Sequence, residues 1–268
     1  MTSTSSSRLN DTTATPLVSI VVLTHDHPAV FQRLLDTLPM TSHIPYELVV
    51  VDNGSQQDSV DVLKAYKAAG RIQTLVLESV NHFFSQGNNI GVQHSNPAAP
   101  YILLLNSDVE ILLPEWLQRV VQWMEGVPAT FLPYTWSNHA PTPSPAPRDI
   151  VSVGWSYDEA VPGRARLEGW CYAIRRSLWR DISPDFPFYW GLEERMAELL
   201  RGGARAGCLC QYSRYLTHHE GGCETWKIKD QIVNKRQPNH RQWFAKCPPV
   251  ETLDFVLGPH EHQSYCEW

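Results

Sequence analysis

Apolar runs of strand length alternate with helically spaced apolar residues through the first 105 positions, and the runs stop at polar or acidic side chains. Leu17-Val18-Ser19-Ile20-Val21-Val22-Leu23 is a β-branched run suited to a strand buried on both faces, and it ends in Thr24-His25-Asp26. After Pro28, the spacing of Val30, Phe31, Leu34, Leu35 and Leu38 predicts a helix that Pro39 closes. Glu47 to Val51 predicts a second strand, stopping at Asp52-Asn53-Gly54-Ser55, where Asp and Ser can cap the next helix. A helix reaching about Ala69, a short strand over Ile72 to Leu77, a helix over Gly87 to His94 and a strand over Ile102 to Leu105 follow. This order specifies an α/β fold with a mostly parallel sheet, right-handed crossovers and a ligand crevice at the carboxyl ends of the strands.

The second half is less regular. Trp116, Leu117, Val120, Val121 and Met124 fall on one face behind Pro114, which predicts a helix from Pro114 to Glu125. Pro at every second position from Pro141 to Pro147 predicts an extended loop. Met1 to Pro16 is Ser/Thr-rich without an apolar core and reads as a disordered leader, not a secretory signal.

Composition narrows the classes. With 43% hydrophobic and 19% charged residues over 268 positions, the chain reads as an ordinary globular protein with ample material for a core. A net charge of -6 argues against wholesale binding of polyanions. No apolar run approaches the roughly 20 residues of a membrane span. Six cysteines (Cys171, Cys208, Cys210, Cys223, Cys247 and Cys266) in a chain large enough to need no staples read as reduced thiols, and the expected location is cytoplasmic.

The chemistry concentrates at strand ends. Tyr101-Ile102-Leu103-Leu104-Leu105 runs straight into Asn106-Ser107-Asp108-Val109-Glu110. Hard cations that work on phosphates take one or two protein carboxylates and fill their remaining positions with water and phosphate, so a carboxylate here suits a nucleoside diphosphate. Asp26, Asp52 and Asp108 would share one edge of one sheet. Asp52 alone reads first as a helix cap, but a carboxylate at that edge can also accept the imide N–H of uracil or thymine. Asn81 to Gly91 is a Gly/Asn-rich entry to a helix, able to bring backbone N–H groups against diphosphate or sugar hydroxyls.

With these stretches, Val18 to Asp26, Glu47 to Ser55, Asn81 to Gly91 and Leu103 to Glu110, in this order and spacing, the first 125 residues resemble the family 2 glycosyltransferases of the GT-A fold, especially the rhamnosyltransferase-like branch. The resemblance implies a Rossmann-like sheet flanked by helices with a less regular acceptor-binding C-terminal half. Together with the composition it divides the chain into an expected leader over 1–16, a nucleotide-sugar-binding half over 17–137, a Pro-rich loop over 138–150, an acceptor and catalytic half over 151–246 and a tail over 247–268. It assigns Thr24, His25, Asp26, Asp52, Asn53, Asn81, Gly87, Asn88, Asn106 and Ser107 to the UDP- or dTDP-sugar donor, with Asp108 the principal ligand of Mn²⁺ or Mg²⁺. Asn106 replaces the first acid of the metal motif, and Phe83 stands where the family often has Gly.

The same resemblance reads the second half. Inverting transfer needs a carboxylate to take the acceptor's proton. Trp190-Gly191-Leu192-Glu193-Glu194 resembles the segment that supplies it, with Glu194 as base and Glu193 as its neighbour. Acids are favoured in the first turn of any helix, which is the plainer account of the pair. Thr217-His218-His219-Glu220 resembles the strand end that supplies a further metal ligand, assigned to His219 with His218 as alternative. Trp170 and Trp190 could stack on an acceptor sugar or fill the core. The cysteines near these histidines lack the paired Cys-x-x-Cys spacing of structural zinc. Trp226 to Lys246 carries six basic residues against one acid, interleaved with aromatics, which suits a phosphate-bearing acceptor, a hydroxylated base in DNA, or a solvated helix pair. The expected acceptor is a glycan or lipid-linked saccharide in preference to DNA. A nucleotide-sugar-binding protein without catalysis is the alternative of another class.

Overall fold

The computed structural model describes residues 17–41, 44–126, 146–153, 155–157, 165–188, 191–209, 216–219 and 254–255. Trp190, the leader, most of the Pro-rich loop, the basic segment 226–246 and all but two residues of the tail lie outside them.

Strands β1 (Val18–Thr24), β2 (Tyr46–Asn53), β3 (Thr74–Glu78) and β4 (Tyr101–Asn106) alternate with helices α1 (Pro28–Thr37), α2 (Gln57–Ala68) and α3 (Phe83–Gln93). A short strand β5 (Val109–Ile111) and helix α4 (Trp116–Glu125) follow. The second half adds β6 (Ile150–Ser152), β7 (Trp155–Tyr157), β8 (Ala165–Leu167), β9 (Cys171–Arg175), α5 (Gly191–Arg201), β10 (Ala206–Cys208), β11 (Leu216–His218) and β12 (Asp254–Phe255). Eight strands form one sheet in the order β12-β10-β6-β9-β4-β1-β2-β3. All neighbours are parallel except β9, which runs antiparallel to both β4 and β6. Strands from both sides of the Pro-rich loop therefore share one sheet.

Alternation along the central strands divides the core in two, because successive side chains point to opposite faces. Ile20, Val22, Leu48, Val50, Leu103 and Leu105 pack under α1 and α4, burying Phe31, Leu34, Trp116, Leu117 and Met124. Val21, Val49, Ile102, Leu104 and Tyr172 face the other way, toward Val92 of α3 and Leu192 and Met196 of α5. The result is a mostly parallel sheet between two helical layers. On the second face α3 lies unusually close: a Cβ on Gly87 would stand 2.4 Å from Leu23 Cδ1, and one on Gly91 would stand 2.3 Å from Val21 Cγ1.

Three expectations change. The third strand starts at Thr74 instead of Ile72 and runs to Glu78. Helix α3 begins four residues before Gly87, because the Asn81 side chain accepts from the Phe83 amide and turns the chain into the helix at once. Phe83 takes φ 60 there, the left-handed conformation that favours glycine. Cys208 is disulfide-bonded, against the reading of six reduced thiols, while Cys171 is free and buried. Chain length bears on whether staples are needed, not on which sulfurs the fold brings together.

Candidate active site

β1, β2 and β4 are parallel and in register, Thr24 lying beside Asp52 and Leu23 beside Asn106. Their acid-bearing ends therefore fall on one edge of the sheet, as the run lengths imply.

Asp26 sits in a left-handed turn with His27 (φ 52 for each), and it ties this edge together. Its amide donates to Ser55 Oγ at 2.7 Å, and its Oδ1 accepts from the Gln56 amide, also at 2.7 Å. The carboxylate thus joins the β1 turn to the entry of α2. His25 Nε2 lies 3.6 Å from Asp26 Oδ2. Asp52, only 1% exposed, accepts from the Ser55 amide through Oδ2 at 3.3 Å, while its buried Oδ1 makes no hydrogen bond among the described residues. A buried carboxylate oxygen without a donor is costly unless a ligand supplies one. Thr24 is buried beside it.

Asn53 and Asn81 are committed elsewhere. Asn53 Nδ2 donates to Asn81 Oδ1 at 2.8 Å and to the Phe83 carbonyl at 3.3 Å, and its Oδ1 accepts from the His82 amide at 2.7 Å. Both amides shape the crevice by fixing the start of α3. Asn88 is turned to the Phe84 carbonyl at 2.8 Å, and Gly87 serves the close approach of α3 to β1. The first turn of α3 borders a cleft lined by His82, Phe83, Ser85, Gln86, Pro184 and Pro187.

Beyond β4 the chain turns through Ser107 and Asp108 into β5, which pairs antiparallel with β11: His218 lies opposite Val109 and Thr217 opposite Glu110. The His219 amide donates to the Asp108 carbonyl at 2.8 Å. Side-chain contacts decide between the two histidines, Asp108 lying in the turn before β5 and outside its pairing. His218 Nε2 stands 3.1 Å from Asp108 Oδ1 and 3.2 Å from Asn106 Nδ2. His219 points away, its Nε2 2.7 Å from Glu110 Oε2, with Arg33 Nε 4.0 Å from the same oxygen. The histidine beside Asp108 is therefore His218, not the expected His219, because neighbouring residues at a strand end face opposite sides.

The Asp108–His218 pair fits a hard divalent cation. Ligands about 2.1 Å from an octahedral ion lie about 3.0 Å apart along an edge, the separation found here. Among the described residues no group of three or more His, Cys, Asp or Glu side chains could hold a metal. An ion at this pair would take its other ligands from phosphate and water.

The opposite wall comes from the second half. Trp170, just before β9, accepts from the Asn106 amide through its carbonyl at 2.8 Å. Its ring stacks on His218 with centroids 4.9 Å apart and planes 4° from parallel. Gly191 lets α5 begin tight against the rest of the site: a Cβ there would stand 2.3 Å from Ile182 Cγ2 and 3.6 Å from Ser85 Oγ. Glu193 and Glu194 occupy the first turn of α5, as expected. Glu193 is buried at 8% exposure and lies near Tyr172, whose phenol is pushed up from its ordinary value, first by burial and then by the Glu193 charge. Glu194 is half-buried. Trp190 lies outside the described residues.

The model of the glycosyl transferase family 2 matches residues 19–195. The chain is 33% identical over 109 residues to the uncharacterized protein y4gI of Sinorhizobium fredii, a stretch covering 40% of this chain and 12% of that one. It is 30% identical over 112 residues to validoxylamine A glucosyltransferase of Streptomyces hygroscopicus subsp. limoneus, covering 41% of this chain and 24% of that one. These matches span a quarter or less of the relatives' own length. Among solved structures, the mannosyltransferase PcManGT of Pyrobaculum calidifontis, in complex with GDP-Man and Mn²⁺, aligns over 89% of this chain and 70% of its own, with a TM-score of 0.57 and 15% identity. That likeness is one of fold, and the fold is GT-A. No helix among the described residues is long and apolar enough to cross a membrane.

Proposed function

The chain belongs to glycosyl transferase family 2, and from that membership we propose that it moves a sugar from a UDP- or dTDP-sugar to a hydroxyl of a glycan or lipid-linked saccharide, with inversion and with the help of a divalent cation. The observation that carries the reading is the Asp108–His218 edge, 3.1 Å across, at the carboxyl end of β4. These two side chains would hold Mn²⁺ or Mg²⁺, which when bound offsets the charge gathering on the departing diphosphate.

The remaining steps belong to the chain. Asp52 offers its unpaired Oδ1 to the imide N–H of uracil or thymine, a complement that cytosine lacks at that position. Asp26 and Thr24 shape the turn that seats the nucleoside. Glu194 takes the acceptor's proton: the acceptor oxygen bonds to the anomeric carbon, the bond from that carbon to the diphosphate oxygen breaks, and its electron pair leaves with the diphosphate. Glu194 suits this role better than Glu193, since a base must meet an incoming hydroxyl and Glu193 is buried beside Tyr172.

The test is a donor screen. Hydrolysis of UDP-, dTDP- and GDP-sugars is followed with Mn²⁺ or EDTA for the wild type, Asp108→Ala, His218→Ala, His219→Ala and Glu194→Gln. The expected result is metal-dependent release of one nucleotide, lost in Asp108→Ala and His218→Ala and retained in His219→Ala. Binding of a nucleotide-sugar without turnover, under all conditions and with acceptors supplied, would make the chain a binding protein instead.

A further inference from the structure

We infer that Trp170 is the residue that positions His218 beside Asp108, and that it is not a platform for the acceptor sugar. The inference rests on the metal reading above.

Three observations carry it. First, among the described residues His218 has no orienting bond at its second nitrogen. Its Nε2 faces Asp108 and Asn106, and among the described residues its Nδ1 has no hydrogen-bond partner. A histidine that ligates a metal ordinarily donates its second N–H to an acceptor that fixes ring and tautomer. Here the indole face is what holds the ring plane. Second, the stack has no room for a sugar. Centroids 4.9 Å apart with planes 4° from parallel hold the rings no more than 4.9 Å apart, against the about 3.5 Å that each stacked face needs. A pyranose between them would need about twice that spacing. Third, the indole is itself fixed. Its Nε1 donates to Glu168 Oε2 at 3.0 Å, and its body packs against the core. Its carbonyl accepts from Asn106 at 2.8 Å. Ser152 Oγ in turn donates to the Glu168 carbonyl at 2.7 Å.

Trp170 therefore links the end of β4, which leads into Asp108, to the short strand that carries His218. β11 is only three residues long, so its backbone alone defines the imidazole poorly. The indole supplies the missing stop.

The experiment measures free Mn²⁺ by its electron paramagnetic resonance signal during titration, alone and with UDP, dTDP or GDP in turn. Wild type, Trp170→Phe, Trp170→Leu, Glu168→Ala and His218→Ala are compared. Phe keeps a stacking face; Leu keeps apolar volume without one. Trp170→Leu should weaken Mn²⁺ binding about 10- to 100-fold, the usual effect of losing a residue that orients a metal ligand, and Trp170→Phe should restore most of it. Glu168→Ala should weaken binding in the same direction, which covers the case in which Trp170→Leu fails to fold. If His218→Ala loses Mn²⁺ while Trp170→Leu or Glu168→Ala binds as the wild type does, the positioning role is wrong and the metal reading stands. Wild-type binding that His218→Ala leaves unchanged would overturn both.

Discussion

Gly91→Ala tests whether the sheet–helix contact that places the crevice is as close as the geometry requires. The new Cβ would lie 2.3 Å from Val21 Cγ1 and 3.2 Å from Val51 Cγ2. Carbon atoms in contact prefer about 3.5 Å, so the first overlap exceeds 1 Å. Val21 is fully buried at 0% exposure, and its branched side chain has little rotamer freedom, so the helix must move. Overpacking of this kind costs about 1–3 kcal/mol, and replacing Gly by Ala inside a helix returns up to about 1 kcal/mol. An overlap of more than 1 Å puts the cost at the upper end of that range, so the expected net loss is about 2 kcal/mol, read as a lower urea midpoint at unchanged slope. The double variant Val21→Ala/Gly91→Ala removes the clashing methyl, so the two changes should couple favourably by about 1 kcal/mol or more. A Gly91→Ala protein as stable as the wild type, or strict additivity in the double variant, would refute the close contact. Because α3 opens at the crevice, the same change should also weaken nucleotide binding.

Asp52→Asn puts an amide where the nucleobase needs an acceptor and should weaken UDP or dTDP binding roughly 10- to 100-fold, the worth of one charge-assisted hydrogen bond; unchanged calorimetric affinity would remove Asp52 from the nucleoside site. Glu194→Gln should lower turnover about 10²- to 10⁴-fold while leaving donor affinity intact, as expected for loss of a general base; equal loss in donor affinity would point to a structural role. Burial pushes the Cys171 thiol and the Tyr172 phenol above their ordinary 9.0 and 10.0. The unfolded chain therefore sheds these protons first, and stability should hold below about pH 9 and fall as pH rises further, by up to about 1.4 kcal/mol per pH unit for each group. Urea unfolding at pH 8 and 10.5 checks this, and Cys171→Ala with Tyr172→Phe should flatten the dependence.

What could be read along the chain followed from burial that repeats over several residues. β1, β2 and β4 each carry a nearly continuous apolar run because both faces are covered, so their ends, and the acids there, were legible as one edge. What could not be read depended on register in elements too short to leave a pattern. β5 is only three residues long, and its meeting with β11 brings His218, not His219, beside Asp108 in the turn that precedes it. A one-residue slip would have exchanged them, since alternate residues face opposite sides. The asparagines show the same limit from another side. Asn53 and Asn81 have the side chains of ligand contacts, but each can satisfy its amide within the loop, and it is the loop geometry that spends them on each other. Trp170 has the surface of a sugar platform, and only the arrival of β11 from more than 40 residues downstream converts it into the wall behind an imidazole. Strand ends thus announce where chemistry can happen, whereas the choice among neighbouring candidates is made by tertiary register that no local spacing records.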